Sequence, residues 1–223
     1  ISEVPARSRL LLHFGAVDQI CTLLVNGENA GTHKGGYLPF HFDITDYLKA
    51  GEVNELAVRL ENKPESSRWY PGAGLYRNVH LVVTEDAYVP TWGTKVTTPV
   101  VKDKFAKVHL ETQWNMPKGK KISDYTIATE ILNPEGKKVN ADTRSGDELD
   151  ETLFAQDFVV RNPSLWSVEY PHLYTAVSKI YEGDRLVDEY TTRFGIRTLE
   201  IIPEKGFFLN GKLTKFQGVC NHH

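Results

Sequence analysis

The stretch Tyr125-Thr-Ile-Ala-Thr-Glu-Ile131 decides the fold class, because Tyr125, Ile127, Thr129 and Ile131 stand at every second position. Successive side chains of a β-strand point to opposite faces, so this period of two predicts a strand with one buried face. Similar alternation recurs at Leu10, Leu12 and Phe14; Leu56, Val58 and Leu60; Val79, Leu81 and Val83; Val108, Leu110 and Thr112; Phe154, Phe158 and Val160; and Leu173, Thr175, Val177 and Lys179. We therefore expect an all-β protein.

Turn residues separate these runs. Gly, Asn, Asp and Pro are the residues that tight turns require, and they occur between the runs at Asn26-Gly27, Ala50-Gly51, Pro134-Glu-Gly136 and Glu182-Gly-Asp184. No stretch has a convincing apolar stripe with a period of 3.6 residues, although Ile44 to Leu48 suggests a single helical turn. Many short strands at such spacing predict antiparallel β-sandwiches.

The sequence changes character twice, which predicts three segments. Residues 1–87 are rich in Gly and long loops and suggest a jelly-roll-like sandwich, whereas residues 88–200 fit an immunoglobulin-like sandwich of about seven strands without paired cysteines. Residues 201–223 begin a further segment. The first domain is short for a jelly roll and begins abruptly in a strand, so we expect its first strands to be missing. The exposed sheet edges would then favour dimerisation or aggregation.

The last segment contains a hairpin signal. Phe207 to Leu209 and Leu213 to Phe216 are joined by Asn210-Gly211, and both central residues of a type I′ turn need a positive φ. The chain then runs through Gly218-Val-Cys-Asn-His-His223 and stops. We expect this to be a longer protein cut where its next domain begins.

Composition excludes several classes of function. The 223 residues carry a formal net charge of −3, with Lys and Arg scattered, so nothing indicates nucleic-acid binding. No apolar run is long enough for a membrane helix, and Ile1-Ser-Glu-Val-Pro-Ala6 is not a signal peptide. The cellular compartment is not predicted. We expect Cys21 and Cys220 to be unpaired thiols, with a disulfide as the alternative.

Five ordered blocks stand out along the chain: Leu12-His-Phe-Gly-Ala-Val-Asp18 with Val25-Asn-Gly27; Gly35-Gly-Tyr-Leu-Pro-Phe40 with Asp43-Ile-Thr45; Arg68-Trp-Tyr-Pro-Gly-Ala-Gly-Leu-Tyr-Arg-Asn-Val79; Leu165-Trp-Ser167, His172-Leu-Tyr174 and Arg193-Phe-Gly-Ile-Arg197; and Gly206 to His223. Together these blocks resemble glycoside hydrolase family 2, and the block that begins at Arg68 is most like the family's β-galactosidase branch. The resemblance implies a galactose-binding-type sandwich, an immunoglobulin-like sandwich and the first hairpin and strand of a (β/α)₈ catalytic barrel (a TIM barrel).

The resemblance also implies where the chemistry lies. The family's retaining mechanism uses two glutamates, one as acid/base and one as nucleophile, on later barrel strands. Neither falls within residues 1–223, so we expect no catalytic residue and no activity in this fragment. Asn54-Glu55 has the Asn-Glu order of the acid/base, but it opens the strand of Leu56, Val58 and Leu60, and we interpret it as a strand start.

Two residues are predicted to bind substrate on the strength of the resemblance. His222 occupies the place of a barrel histidine close to the sugar, and Arg68 begins a loop that reaches the barrel mouth, where a guanidinium suits hydroxyl recognition. The alternatives are a terminal histidine without a role and an Arg68 stacked on Trp69 or Tyr70. The aromatic pair itself could stack on a sugar ring or anchor the loop.

Other features are interpreted structurally. Gly35-Gly36 is expected to let its loop turn sharply against a neighbour, since no helix or Lys-Ser/Thr follows as in a phosphate loop. Trp166, with Leu165 and Tyr174, is expected in the second core. His222 and His223, adjacent on a strand, would point to opposite faces and could not chelate one metal. No cofactor is expected, and the resemblance leaves open a divalent metal in the complete active site.

The preferred function is the non-catalytic N-terminal portion of a retaining β-galactosidase-like hydrolase that cleaves terminal β-galactosides in its full-length form. Carbohydrate is the expected ligand, and a homo-oligomer is an option. The first alternative is a self-contained carbohydrate-binding or adhesion module. The second keeps the family and changes the substrate to a β-glucuronide or β-mannoside.

Overall fold

The chain divides into two units, residues 1–86 and 87–223, each with apolar cores of its own. The computed structural model describes residues 7–62, 65, 74–150 and 152–220. Within these residues the regular structure is almost entirely β-strand, as the alternation of the sequence predicted.

The first unit is built from short strands and one turn of 3₁₀-helix at Thr45–Tyr47. The strands are β1 (Ser8–Phe14), β2 (Val17–Asp18), β3 (Ile20–Val25), β4 (Glu28–Lys34), β5 (Phe40–Asp43), β6 (Leu56–Glu61), β7 (Gly74–Leu75) and β8 (Val79–Glu85).

Two antiparallel three-stranded sheets, in the orders β5-β1-β8 and β4-β3-β6, form the first unit, and β2 pairs with β7 beside them. The inward side chains of the two central strands, β1 and β3, are buried together in one core because every second residue points inward. Its buried members are Leu10, Leu12, Phe14, Val17, Cys21, Leu23, Val25, Phe40 and Ile44. This is the jelly-roll-like sandwich that the sequence predicted.

Strands β4 and β5 close one side of this sandwich. The His33 ring stacks on the Phe40 ring with a centroid distance of 3.9 Å. Gly31 lies so close to Phe42 that an ideal Cβ would be 2.6 Å from that ring. These contacts bring the two sheets together along the side opposite β6 and β8.

The turn between β3 and β4 is the predicted Asn26-Gly27 pair, with φ values of 52° and 85°. The Asn26 side chain does more than turn the chain: its amide donates to Tyr47 O at 2.9 Å, and its oxygen accepts from Glu55 N at 3.0 Å. The predicted helical turn forms after Asp43, whose carboxylate accepts from Thr45 N at 3.0 Å.

The second unit contains longer strands and 3₁₀ turns at Ile122–Asp124 and Gly146–Glu148. The strands are β9 (Thr94–Lys102), β10 (Phe105–Gln113), β11 (Tyr125–Leu132), β12 (Lys138–Ser145), β13 (Leu153–Arg161), β14 (Tyr174–Glu182), β15 (Arg185–Phe194), β16 (Leu199–Ile202), β17 (Gly206–Leu209) and β18 (Lys212–Leu213).

Strands β9 to β15 form an immunoglobulin-like sandwich, with sheets ordered β13-β10-β9 and β12-β11-β14-β15. Burial alternates strictly along β11 and β13, so each sheet turns one face inward. Two apolar clusters fill the space between the sheets, one around Leu110 and Phe158 and the other around Tyr125 and Ile180. Trp114 meets Tyr125 edge-on with a centroid distance of 5.3 Å.

Polar side chains are buried on the inner strands of this sandwich. Thr129 and Ser178 are at most 1% exposed, and their hydroxyl oxygens lie 3.0 Å apart in a hydrogen bond between β11 and β14. Gln156 is also buried, and its amide donates to Asp142 O and Oδ2, both at 3.2 Å. A buried polar group costs free energy unless it is paired, so these bonds fix how the strands meet.

The terminal hairpin forms as predicted but is shorter. Asn210 and Gly211 have φ values of 51° and 75°, and Leu209 pairs with Lys212 across this two-residue turn. The second strand ends at Leu213 rather than Phe216, and a third strand, β16, which the sequence analysis missed, pairs with β17. Phe216 instead packs against Phe207 with the two rings tilted by 39° and their centroids 4.7 Å apart.

Both cysteines are free, as the sequence predicted. Cys21 lies in the core of the first unit, where burial raises the pKa of its thiol, and Cys220 is exposed. Protonated and enclosed, Cys21 packs as a small apolar side chain.

Candidate functional site

The two predicted substrate-binding residues, Arg68 and His222, lie outside the described residues, and so do Trp69 and Tyr70. The structure describes the segments that flank them. The candidate site is therefore built from the frame around residues 66–73 in the first unit and, separately, from the segment that precedes His222 in the second.

The frame of the Arg68 loop is anchored by a short pair of strands. Strand β7, which begins at Gly74 directly after the loop, pairs antiparallel with β2, so that Asp18 faces Gly74 and Val17 faces Leu75. Val17 is fully buried in the first core. The chain that follows the loop is thus fixed to the sandwich through Val17, which is packed in the core.

A second loop packs against this anchor. The Tyr76 hydroxyl donates to the Gly36 carbonyl, and Gly36 lies against Asp18 so closely that an ideal Cβ would meet the carboxylate at 2.2 Å. Gly35 has a φ of 127°, which side chains rarely tolerate. The expectation that Gly35-Gly36 turns sharply against its neighbour is confirmed, since Gly35 has a positive φ and Gly36 lies against Asp18.

The surface of this frame suits binding rather than bond cleavage. Tyr37, Leu38 and Tyr76 are exposed there, and the Arg77 guanidinium carbon lies 5.5 Å from the centre of the Tyr76 ring. Aromatic faces can pack on the apolar face of a sugar ring, while Arg and Asp side chains offer a donor and an acceptor for hydroxyls.

The Asn54-Glu55 pair has a structural role, as predicted. Asn54 Oδ1 accepts from Lys49 N at 2.7 Å and from the Asn26 amide at 2.8 Å, while Asn54 Nδ2 donates to Lys49 O. Glu55 precedes β6. The Asn54 side chain, which would precede an acid/base residue in the Asn-Glu order, therefore uses its hydrogen bonds to stabilise its own loop.

The second unit has an apolar groove. It lies between the terminal hairpin and the loop that carries Trp166, and Phe207 and Phe216 line it with Arg197 and Leu199. The hairpin is fixed to that loop by Asn210, whose amide donates to Trp166 O at 2.9 Å and whose oxygen accepts from Thr198 N at 3.0 Å. The described chain continues from Phe216 to the exposed Cys220.

Trp166 was predicted to lie in the second core, but it does not. Tyr174 is buried and Leu165 packs against the core, but Trp166 is only half-buried and lines the groove. Its indole packs on Gly195 beneath Arg197 instead. A large aromatic side chain is amphipathic enough to stay at a surface when an arginine covers it.

Sequence reasoning missed a row of three histidines on the outer face of the first unit. His13 pairs with His41 on β5 and with His80 on β8, so the three lie side by side across the sheet. Burial, followed by the charges of His41 and His80, lowers the pKa of His13. The row depends on how strands distant in sequence pair, so no local signal could have revealed it.

The described residues contain no group of three or more His, Cys, Asp or Glu side chains placed to hold a metal ion. In the same part of the chain, no helix has the length and apolar character that crossing a membrane requires.

Comparison with protein families identifies the class to which these sandwiches belong. Residues 2–85 match the sugar-binding domain of Glycosyl hydrolases family 2, and residues 88–197 match the domain described as Glycosyl hydrolases family 2. The chain belongs to glycosyl hydrolase family 2. The resemblance drawn from the five sequence blocks is confirmed.

The relatives include proteins that are named for two different activities. Beta-galactosidase BoGH2A from Bacteroides ovatus is 40% identical, with the match covering 100% of this chain and 26% of that protein. A beta-glucuronidase from Bacteroides fragilis is 31% identical over 96% of this chain and 32% of its own length. A solved family 2 structure from Bacteroides cellulosilyticus superposes with a TM-score of 0.88 at 33% identity, covering 98% of this chain and 30% of that one.

The chain spans about a quarter of the length of the first curated relatives it matches.

Proposed function

We propose that residues 1–223 form the non-catalytic N-terminal part of a retaining, β-galactosidase-like glycoside hydrolase. The observation that carries the proposal is the match to a protein named beta-galactosidase, which is 40% identical over the whole of this chain. The relatives named beta-glucuronidase or putative beta-glucuronidase are less similar to this chain, at 28–33% identity.

The part played by residues 1–223 is to support the active site and supply one of its walls. The loop of residues 66–73 starts from the first sandwich and returns at β7, which is paired with β2. Arg68 on this loop would donate to sugar hydroxyls, and the hydrogen bond from Tyr76 to Gly36, just after β7, would help to hold the chain where the loop ends. His222, following the terminal hairpin, would contribute a second contact to the sugar.

Catalysis itself would come from residues outside this chain. A retaining glycosidase needs two carboxylates about 5–5.5 Å apart, one as nucleophile and one as acid/base. The family resemblance assigns both to later strands of a barrel, of which β17 and β18 would be the opening hairpin. Residues 1–223 alone would then bind weakly and hydrolyse nothing.

The test is hydrolysis of an aryl β-galactoside by the complete protein, by the 223-residue chain, and by the complete protein carrying Arg68→Ala. We expect activity only in the complete protein and a 10- to 100-fold lower kcat/KM for the variant, about the value of one charge-assisted hydrogen bond of 1.5–3 kcal/mol. Arg59→Ala is the matched control, since Arg59 pairs with Glu61 on β6 at 3.0 Å. Equal losses in both variants would exclude a substrate contact at Arg68.

A second candidate substrate is a β-glucuronide, favoured by the beta-glucuronidases among the relatives. An aryl β-glucuronide assayed in parallel distinguishes the two sugars, because the site that accepts a glucuronide must neutralise a carboxylate. Titration of the 223-residue chain with galactose-containing oligosaccharides tests the binding-module alternative. Micromolar affinity together with an inactive complete protein would favour the module over the hydrolase.

A further inference from the structure

Three segments of the first unit meet at the turn formed by Gly35 and Gly36. The Gly35 amide donates to Gln19 O at 2.9 Å, just after β2, and the Tyr76 hydroxyl donates to the Gly36 carbonyl, just after β7. The Asp18 carboxylate packs so closely on Gly36 that an added Cβ would overlap it. The side chains that these segments carry are therefore held at fixed positions around one turn.

Two exposed tyrosines lie next to each other at this turn. Tyr37 is 64% exposed and Tyr76 is 51% exposed, and the Tyr76 hydroxyl is bonded to the residue before Tyr37. Their neighbours Leu38 and Leu75 are exposed as well. Single apolar side chains on a surface need no explanation, whereas a contiguous group indicates a binding surface. A tyrosine has few rotatable bonds, so little entropy is lost when a ligand packs on its ring.

Opposite charges flank the Tyr76 ring. The Arg77 guanidinium carbon lies 5.5 Å from the ring centre, and the Asp18 carboxylate lies against the glycine to which Tyr76 is bonded. Within the described residues, neither charged group has a hydrogen bond or an ion pair. A guanidinium only donates and a carboxylate only accepts, so together they can satisfy both roles of a sugar hydroxyl. Their charges cancel, which suits a neutral ligand better than an ionic one.

The surface formed by these side chains is open rather than enclosed. It belongs to residues 2–85, the part of the chain that matches the family's sugar-binding domain. A pocket that encloses a ligand buries most of the ligand's surface, whereas both tyrosines here are at least half exposed. An open surface of this kind fits the part of a substrate that projects from an enclosed active site.

We propose that this surface is a subsite for the neutral sugar on the leaving-group side of the scissile bond, formed by Asp18, Tyr37, Tyr76 and Arg77. The sugar ring packs on the tyrosines, and its hydroxyls donate to Asp18 and accept from Arg77. The substrate class is then an oligosaccharide or polysaccharide that ends in β-galactose, rather than a galactoside of a small alcohol. The inference rests on the proposed function and concerns a different sugar from the one that Arg68 and His222 would contact.

The test compares two substrates of the complete protein, lactose and methyl β-galactoside. Both end in the same sugar, but only lactose places a second sugar ring on the leaving-group side. Tyr37→Ala removes an exposed ring, and Asp18→Asn keeps the shape of the side chain that packs on Gly36 while removing its charge. For each variant we expect the ratio of kcat/KM for lactose to that for methyl β-galactoside to fall about 10-fold, because each removes one contact to the second sugar.

The matched controls are Tyr170→Ala and Asp103→Asn in the second unit. Tyr170 is 68% exposed, and Asp103 is exposed in the turn between β9 and β10. Neither control should change the ratio. An unchanged ratio in Tyr37→Ala and Asp18→Asn would overturn the proposal even if both activities fall, since a defect in folding or at the terminal sugar affects the two substrates alike. A similar fall in the controls, or cleavage of methyl β-galactoside but not of lactose, would overturn it as well.

Binding of cellotriose to the complete protein tests the subsite without hydrolysis. Calorimetry should show binding that Tyr37→Ala weakens about fivefold and that Tyr170→Ala leaves unchanged. If the complete protein cleaves neither galactoside, the proposed function fails, and this binding alone decides the subsite. Absence of binding, or an affinity that Tyr37→Ala does not alter, would contradict the subsite.

Discussion

The guanidinium carbon of Arg197 lies 4.8 Å from the centre of the Trp166 ring, with Gly195 packed against the same side chain. Trp166 is thus held by an arginine and a glycine separated by one residue. The Trp166 amide also donates to the carbonyl of Ile196, between them, at 2.9 Å. Together these contacts fix one wall of the groove beside the terminal hairpin.

Gly195→Ala should destabilise the second unit by about 1–3 kcal/mol, because the new methyl group must displace a packed indole. An ideal Cβ at this position would lie 2.8 Å from Trp166 Cβ and 2.9 Å from Cγ. Gly218→Ala is the control, since no atom lies within 4 Å of a Cβ there. Urea unfolding measures both variants, and equal midpoints would show that Trp166 can move aside freely.

Asn210→Ala should cost about 2–4 kcal/mol of unfolding free energy: about 1–2 for placing alanine at positive φ, plus two hydrogen bonds. Asn210→Gly keeps the turn and loses only the bonds to Trp166 O and Thr198 N, so its loss should be smaller. Thermal unfolding of the two variants separates turn geometry from anchoring. If Asn210→Gly matches the natural protein, the side-chain bonds contribute nothing.

Thr129→Val should lose about 1–3 kcal/mol, since it leaves the buried Ser178 hydroxyl without its partner. The double variant Thr129→Val/Ser178→Ala removes both polar groups and should lose less than the two single variants together. A double-mutant cycle by chemical unfolding measures this coupling. Strict additivity would mean that each hydroxyl finds another partner.

The stability of the first unit should depend on the protonation of His13. In the folded protein the pKa of His13 lies below the usual value for a histidine, mainly because of burial and then because of the charges of His41 and His80. The unfolded chain therefore binds the proton more readily, so stability is highest above the unfolded pKa and falls as the pH drops from there towards the folded pKa. His13→Gln should flatten this dependence, as followed by thermal unfolding across that interval.

Direct titration provides the complementary test. In an NMR titration, His13 should lose its proton at a lower pH than a histidine in an unfolded peptide does. His80→Ala removes one repulsive neighbour and should raise the pKa of His13. An unchanged titration in that variant would attribute the lowered pKa of His13 to burial and His41 alone.

The sequence predicted most of the fold because its signals were local. The alternating residues of β10 and β11, such as Leu110 and Ile127, are buried as expected. Both Asn-Gly pairs form two-residue turns with positive φ, which their chemistry favours. Period and turn residues depend on neighbouring positions alone, so no tertiary information was needed.

The inward face of β14 was harder to predict. Leu173, Thr175 and Val177 suggested one alternating face, but the buried face carries Tyr174, Ala176 and Ser178. Alanine and serine give a weak hydrophobic signal, yet Ser178 lies directly opposite Thr129 of the neighbouring strand β11 and hydrogen-bonds to it. The inward face of β14 therefore depends on a partner in another strand, which the sequence of β14 alone does not show.

The residues of the candidate site also fall into those that the sequence could predict and those that it could not. Arg68 and His222 could be proposed from their motifs, whereas the row of His41, His13 and His80 could not, because it appears only when three distant strands pair in register. The half-buried position of Trp166 was also hidden, since it depends on Arg197 lying over the ring.

Asn26 and Asn210 link the register of their hairpins to contacts outside those hairpins. Each residue supplies the positive φ of its turn, and its side chain also bonds to the backbone of a distant loop, at Tyr47 or Trp166. A slip of one residue would turn each strand over and would carry the asparagine away from its loop at the same time. A hairpin in the wrong register would therefore lose the hydrogen bond to Tyr47 or Trp166 as well. Each asparagine thus couples the register of its hairpin to the packing of a loop that is distant in sequence.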